Sequence, residues 1–212
     1  MMDSVSEHPA RIRGERRRMR TRAALLDAAE QLLSDRSTDA VRIEDVAEVA
    51  GISPASVYVH FGTKDALVSA VMQRLLDTSM TELMAAYTSE GTAFEQVMEA
   101  GVAYMRLLVD HPALTRYVSV NALGGSGNSL DGEVSDRIDL LRKAFEQRIQ
   151  AAVDKGEVRP VDSRMLSYFL FGAWNGVAAL ALRTDNARLT PDEVEKCLLQ
   201  ARELLGRAVA IA

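Results

Sequence analysis

Residues 41–67, VRIEDVAEVAGISPASVYVHFGTKDAL, interrupt a helical pattern at Gly51 and again at Gly62, and this punctuation constrains the fold more than any bulk property. Ile43, Val46 and Ala47 form the inner side of a short helix, which Gly51 ends by supplying a left-handed residue without a Cβ clash. Ile52 tucks into the core at the turn. Ser53 suits the N-cap and Pro54 the first helical position, where its missing N–H is no loss. The next helix therefore runs from Pro54 to about His60, with Val57 and Phe61 as its buried side. A helix this short does not hold together in water alone. It needs support on one side and an external contact on the other.

The rest of the chain supplies the support. TRAALLDAAEQLLS places Leu25, Ala28, Ala29, Leu32 and Leu33 on one apolar stripe of a first helix. Thr63 caps a long fourth helix whose apolar face runs through Val68, Met72, Leu76 and Leu83 to Tyr87. Further helical patterns cover AFEQVMEAGVAYMRLLVD, HPALTRYVSVNAL, about 133–155, 162–184 and 191–210, and GGSGNSLDG (124–132) reads as a flexible loop. The fold class is all-α with about nine helices and no sheet.

Charge is unevenly placed. The chain has 25 basic and 30 acidic residues, with ten of each in residues 1–64, so the remaining 148 residues carry all of the net −5. RIRGERRRMRTR, Arg11 to Arg22, holds seven arginines against one glutamate. A basic segment on an acidic protein attracts phosphates locally while the body repels them. A solvated tail is the competing reading of that run. One cysteine, Cys197, cannot form an internal disulfide, and no apolar stretch follows the N-terminal arginines as in a secretory signal, so the expected compartment is the cytoplasm. MLSYFLFGAWNGVAALAL (165–182) is barely long enough to span a bilayer and is interrupted by Ser167, Tyr168 and Asn175. A helix buried among other helices is favoured, with no membrane partner.

Two short helices joined by a glycine turn, the second capped and displayed on an apolar support, form the helix-turn-helix arrangement that sets a helix into the DNA major groove. The segment 21–67 resembles the DNA-binding domain of the TetR/AcrR family of bacterial transcriptional regulators. The resemblance rests on Ala28-Ala29, Leu32-Leu33, Val46-Ala47, AGIS at 50–53, VYVHF at 57–61, and Lys64-Asp65 with Leu67. It implies a three-helix head joined by a long fourth helix to a ligand-binding and dimerisation bundle. The expected organisation is a basic flexible arm (1–19), the helix-turn-helix domain (20–66) and the bundle (67–212).

By the resemblance Tyr58, His60 and Lys64 grip phosphates. Lys64 lies at a helix start, where the macrodipole disfavours a cation, and a phosphate on the free amides of Thr63 and its neighbours resolves the conflict. Pro54 and Ala55 depart from the family pattern, as do Arg42 and Thr38. Ser53 and Ser56 can hydrogen-bond either way, Ala55 and Val59 offer apolar contact to thymine methyls, and no bidentate base reader is present. The arm arginines Arg16, Arg17, Arg18, Arg20 and Arg22 are expected to compensate along phosphates or in a narrow minor groove, with Arg42 as a backbone clamp.

In the bundle, Met98, Tyr104, Met105, Leu108, Tyr117, Phe171, Trp174 and Asn175 are candidates for a pocket taking a small, mainly apolar effector, with core packing as the alternative for each. AWNGVAAL (173–180) is similar to a helix of many family bodies, although the more usual histidine is Asn175 here. Gly172, Gly176, Val194, Cys197, Leu198, Ala201 and Leu205 are candidates for a homodimer seam, with internal packing as the alternative. The expected function is a ligand-responsive repressor that binds a palindromic operator as a dimer, with no cofactor, metal or catalytic residues. Competing readings are an interaction module of the same fold that has lost DNA binding, and an enzyme, for which no phosphate loop, metal-spaced cluster or paired nucleophile and base is evident.

Overall fold

The computed structural model describes residues 7–122 and 132–209, in which nine α-helices and one 3-10 turn are found and no strand. The all-α expectation holds. The chain divides into two compact units, Met1–Val71 and Met72–Ala212. The loop expected at 124–132 lies outside the described residues except for Gly132, where a helix begins.

The first unit contains α1 (Glu7–Asp35), a 3-10 turn (Thr38–Ala40), α2 (Ile43–Ala50), α3 (Pro54–Phe61) and the start of α4 (Lys64–Ala86). α1 packs on α2, and α2 on α3. Leu25, Ala28, Ala29, Leu32 and Leu33 are buried as their spacing requires, joined by Leu26, and they meet a core that includes Val46, Ala47 and Val57. Leu67, Val68 and Val71 of α4 are also buried. The head therefore ends at Val71 rather than at residue 66, because the first two turns of α4 belong to it.

The arm is the main correction. Residues 7–19, expected to be flexible, are the opening turns of α1, while residues 1–6 lie outside the described residues. Pro9 falls in the first turn, where its lack of an N–H is harmless, and arginine is a strong helix former. Arg11 and Glu15 pair at i, i+4 on the exposed surface, 3.8 Å apart.

The second unit continues α4 and adds α5 (Ala93–Asp110), α6 (Pro112–Ala122), α7 (Gly132–Asp154), α8 (Ser163–Ala181) and α9 (Pro191–Val209). Thr92 and Glu95 close the start of α5 with a reciprocal capping box, and Asp162 caps α8 by accepting from the Met165 amide at 2.9 Å. The core lies where α7 and α8 pack on each other and on α5. Tyr104, Phe145, Phe171 and Trp174 interlock there in tilted and edge-to-face pairs, from 4.5 Å between the Tyr104 and Phe171 centroids to 5.9 Å between Tyr104 and Trp174. No helix among the described residues is long and apolar enough to cross a membrane, so α8 is a bundle helix.

Candidate nucleic-acid interface and effector cavity

The turn between α2 and α3 is built as its residues require. Gly51 sits at φ 66°, ψ 32°, its amide donates to the Glu48 carbonyl, and the Ile52 amide reaches back to the Ala47 carbonyl at 2.9 Å. This paired closure ends α2 and turns the chain directly into α3. Ser53 occupies the N-cap position with extended backbone, but its hydroxyl does not cap the helix. The Ser56 amide is already taken by the Ser53 carbonyl at 2.9 Å, so the two hydroxyls bond each other at 3.0 Å. Both remain on the outer side of α3, able to donate or accept.

Val57 anchors α3 at 1% exposure, whereas Val59 is 76% and Tyr58 53% exposed. Pro54 and Ala55 are exposed beside them, and Ser56 and His60 are half-buried. α3 therefore shows solvent an uncharged surface that the head does not cover. A β-branched side chain, Val59, stands exposed at its centre.

The flanking groups differ in detail from the sequence reading. Thr63 caps α4, its Oγ1 accepting from the Ala66 amide at 3.1 Å and leaving its O–H free to donate. Lys64 bends back so that Nζ reaches the Asp39 carbonyl at 3.5 Å. Its charge is thus partly settled by the 3-10 turn, a partner that sequence spacing does not reveal. Arg42 is exposed at the N-cap of α2, with Glu44 3.7 Å away. Arg22 is not a free arm residue, since its guanidinium lies 4.4 Å from the Phe61 ring centroid and ties α1 to α3. On the helical arm Arg16, Arg17 and Arg20 share one face with Arg13, at i, i+3, i+4 and i+7, and Arg18 falls off that face.

In the second unit a cavity of about 50 Å³ lies between α5, α7, α8 and α9. Of the expected pocket residues, Met98, Met105 and Trp174 line it. Tyr104, Leu108 and Phe171 are core instead, and Tyr117 lies on α6 away from it. Asn175 is committed internally, its Nδ2 donating to the Phe171 carbonyl at 2.7 Å and to the Tyr104 hydroxyl at 3.1 Å. Burial pushes the Tyr104 phenol up to about 12, opposed by the bond to Asn175. Phe145, missed by sequence reasoning, lines the cavity from α7, and its i, i+4 relation to Leu141 and Ile149 on one buried stripe was the available signal. Gly101 forms part of the wall, where an added Cβ would lie 2.8 Å from Cζ2 of Trp174.

The expected seam divides. Val194 is buried in its own chain, and Leu198, Ala201 and Leu205 face the cavity. Only Cys197 of the five α9 candidates is exposed, alongside Leu204 at 65%. α9 carries apolar residues on two sides, and period alone does not say which side covers its own bundle. On α8 Gly172 and Gly176 are exposed, with open space where their Cβ atoms would be. They share a face with Met165, 54% exposed, and Phe169, 67% exposed.

An exposed helix, presented by a glycine turn on a three-helix support ahead of a helical bundle, defines a helix-turn-helix DNA-binding regulator. The comparisons agree. The family model described as "Bacterial regulatory proteins, tetR family" matches residues 25–71. The HTH-type transcriptional regulator RutR of Escherichia coli (strain K12) is 26% identical over 162 residues, 74% of each chain. The ketosteroid transcriptional regulator KstR2 of Mycobacterium tuberculosis shares the fold at TM-score 0.72 and 19% identity, over 90% of this chain and 95% of that one. AibR, solved in complex with isovaleryl coenzyme A and operator DNA, does so at TM-score 0.70 and 16% identity, over 87% and 97%. Residues 25–71 thus carry a DNA-binding head of the tetR family, and the chain as a whole is similar to bacterial transcriptional regulators of that kind.

Proposed function

We propose that this regulator acts in the cytoplasm as a homodimeric repressor, binding a two-fold symmetric operator through α3 and leaving it when a small, mainly apolar effector enters the second unit. The observation that carries the DNA reading is the outer face of α3, where Ser53, Ala55 and Val59 are exposed and Val59 has no contact that folding requires. Tyr58, His60, Thr63, Lys64 and Arg42 are the proposed phosphate contacts around it, and Arg13, Arg16, Arg17 and Arg20 extend them along α1.

The exposed face of α8 supports the dimer reading. Glycine inside a helix costs about 1 kcal/mol relative to alanine, and none of the described residues fills the space beside Gly172 or Gly176. A helix of a second copy, brought close along the face shared with Phe169, gives both glycines a reason. Two heads then meet successive major grooves, roughly 34 Å apart or a multiple of that. The cavity supports the effector reading, as does AibR, whose complex contains both isovaleryl coenzyme A and operator DNA. An effector that favours the dimer geometry unable to reach both half-sites releases the DNA.

The test is fluorescence anisotropy on DNA taken from upstream of the protein's own gene. Val59→Glu sets a carboxylate against the duplex and is expected to weaken binding at least a hundredfold. Its unfolding midpoint should match the wild type, since the site is exposed. Unchanged affinity of that variant would overturn the assignment of α3.

A further inference from the structure

The 50 Å³ cavity is not isolated. A second one, of about 20 Å³, lies along the same helices. Val97 of α5 lines both cavities. On α8 the lining moves from Leu170 to Leu166, and on α9 from Leu205 to Val209, one helical turn in each case. Along α9 the lining from Leu198 to Val209 spans roughly 16 Å at 1.5 Å per residue. The two spaces succeed one another along these helices and share Val97 as a wall.

Their dimensions and lining restrict what fits. An engineered apolar cavity of about 150 Å³ takes benzene, so neither space admits a ring without displacing the walls. An unbranched hydrocarbon chain has a smaller cross-section than a ring and can follow the line of the two spaces, parting the walls along its length. The linings are apolar apart from Arg202 of α9. Arg202 has no hydrogen bond or ion pair among the described residues, and no acidic side chain lines either cavity. Arg202 is an exposed residue at the larger cavity, its stem covering part of the wall and its guanidinium open to a charged group arriving from solvent.

We infer that the effector slot takes an aliphatic monocarboxylate, with the hydrocarbon chain between α5, α7, α8 and α9 and the carboxylate held by Arg202. This rests on the effector reading given above and adds the ligand class to it. A planar guanidinium matches a carboxylate with two parallel N–H···O bonds, which an alcohol or amine head group cannot form. Trp174, pressed against Gly101, closes the wall on the α5 side. Part of the slot's wall is α9, which also carries the exposed Cys197 and Leu204.

The experiment titrates the full-length protein with octanoate, 1-octanol and octylamine by calorimetry, for wild type and Arg202→Gln, and repeats each titration against the protein–DNA complex by anisotropy. Octanoate is expected to bind wild type at least about tenfold more tightly than 1-octanol, and to loosen DNA. Arg202→Gln is expected to lose that advantage while its affinity for 1-octanol is unchanged. Equal affinities in wild type, or an unaltered octanoate affinity in Arg202→Gln, overturn the carboxylate assignment. In that event an alkyl probe that still loosens DNA leaves the effector reading standing. If no alkyl probe binds, the slot assignment is wrong; if probes bind without changing DNA affinity, the coupling of this slot to DNA is wrong as well.

Discussion

Phe169→Ala tests the second-copy interface at the point where the structure gives a magnitude. The residue is 67% exposed, and complete burial of a phenylalanine removes roughly 200 Å² from water, so about 130 Å² is available to a partner. At about 25 cal/mol per Å² that area is worth about 3 kcal/mol in each protomer, and two-fold symmetry counts it twice, giving an upper bound of about 6 kcal/mol per dimer. Ordering costs and the retained Cβ reduce the measured value. The expected loss is therefore at least about 2 kcal/mol, or about thirtyfold in the dimer dissociation constant. Sedimentation velocity over a concentration series measures it directly. Helix content and the unfolding of the isolated protomer should be nearly unchanged, because most of the ring touches nothing in its own chain. A wild type that stays monomeric across the series, or a variant that dimerises as tightly as wild type, would refute the reasoning.

Replacing Arg13, Arg16, Arg17 and Arg20 together with glutamine keeps the helix and removes the stripe. Each arginine on a phosphate contributes about 0.9 to the slope of log affinity against log salt, so the slope is expected to flatten by as much as about 3.6 per head, and an unchanged slope would show that the stripe does not meet DNA. Tyr104 titrates at about 12 in the folded chain and near 10 when unfolded, so the folded state holds its proton longer. The associated stability is complete below pH 10 and is lost between pH 10 and 12, by at most about 3 kcal/mol. Tyr104→Phe should reduce that alkaline loss in denaturant titrations, leaving a remainder from Tyr87, whose phenol burial also raises. An identical alkaline profile would contradict the assignment.

The head was more legible than the bundle because its signals are local. Gly51, Ser53-Pro54 and Gly62 act on the backbone within a few residues, and the bounds of α2 and α3 fall where those residues place them. The arm was misread because a run of like charges resembles a solvated tail, whereas Arg11 to Arg22 also favours helix and continues directly into the buried Leu25–Leu33 segment. In the bundle the uncertain quantity was facing. Cys197 and Leu198 were both candidates for a seam, yet Leu198 lines the cavity and Cys197 is exposed, and this depends on how four helices meet. The partners of Lys64 and Asn175 were unreadable for the same reason, since Asp39 and Tyr104 are brought to them only by folding.

The arginines of α1 ride on the helix whose later turns are fixed in the head. Their backbone loses its freedom when the protein folds, so meeting a duplex immobilises only side chains. A coiled tail adapts to any groove it meets, but a continuous helix offers its cations at set intervals and directions. On the proposed contact with DNA, duplexes whose strand path departs from that spacing are expected to lose several contacts at once, so that affinity varies with groove width and curvature independently of base identity.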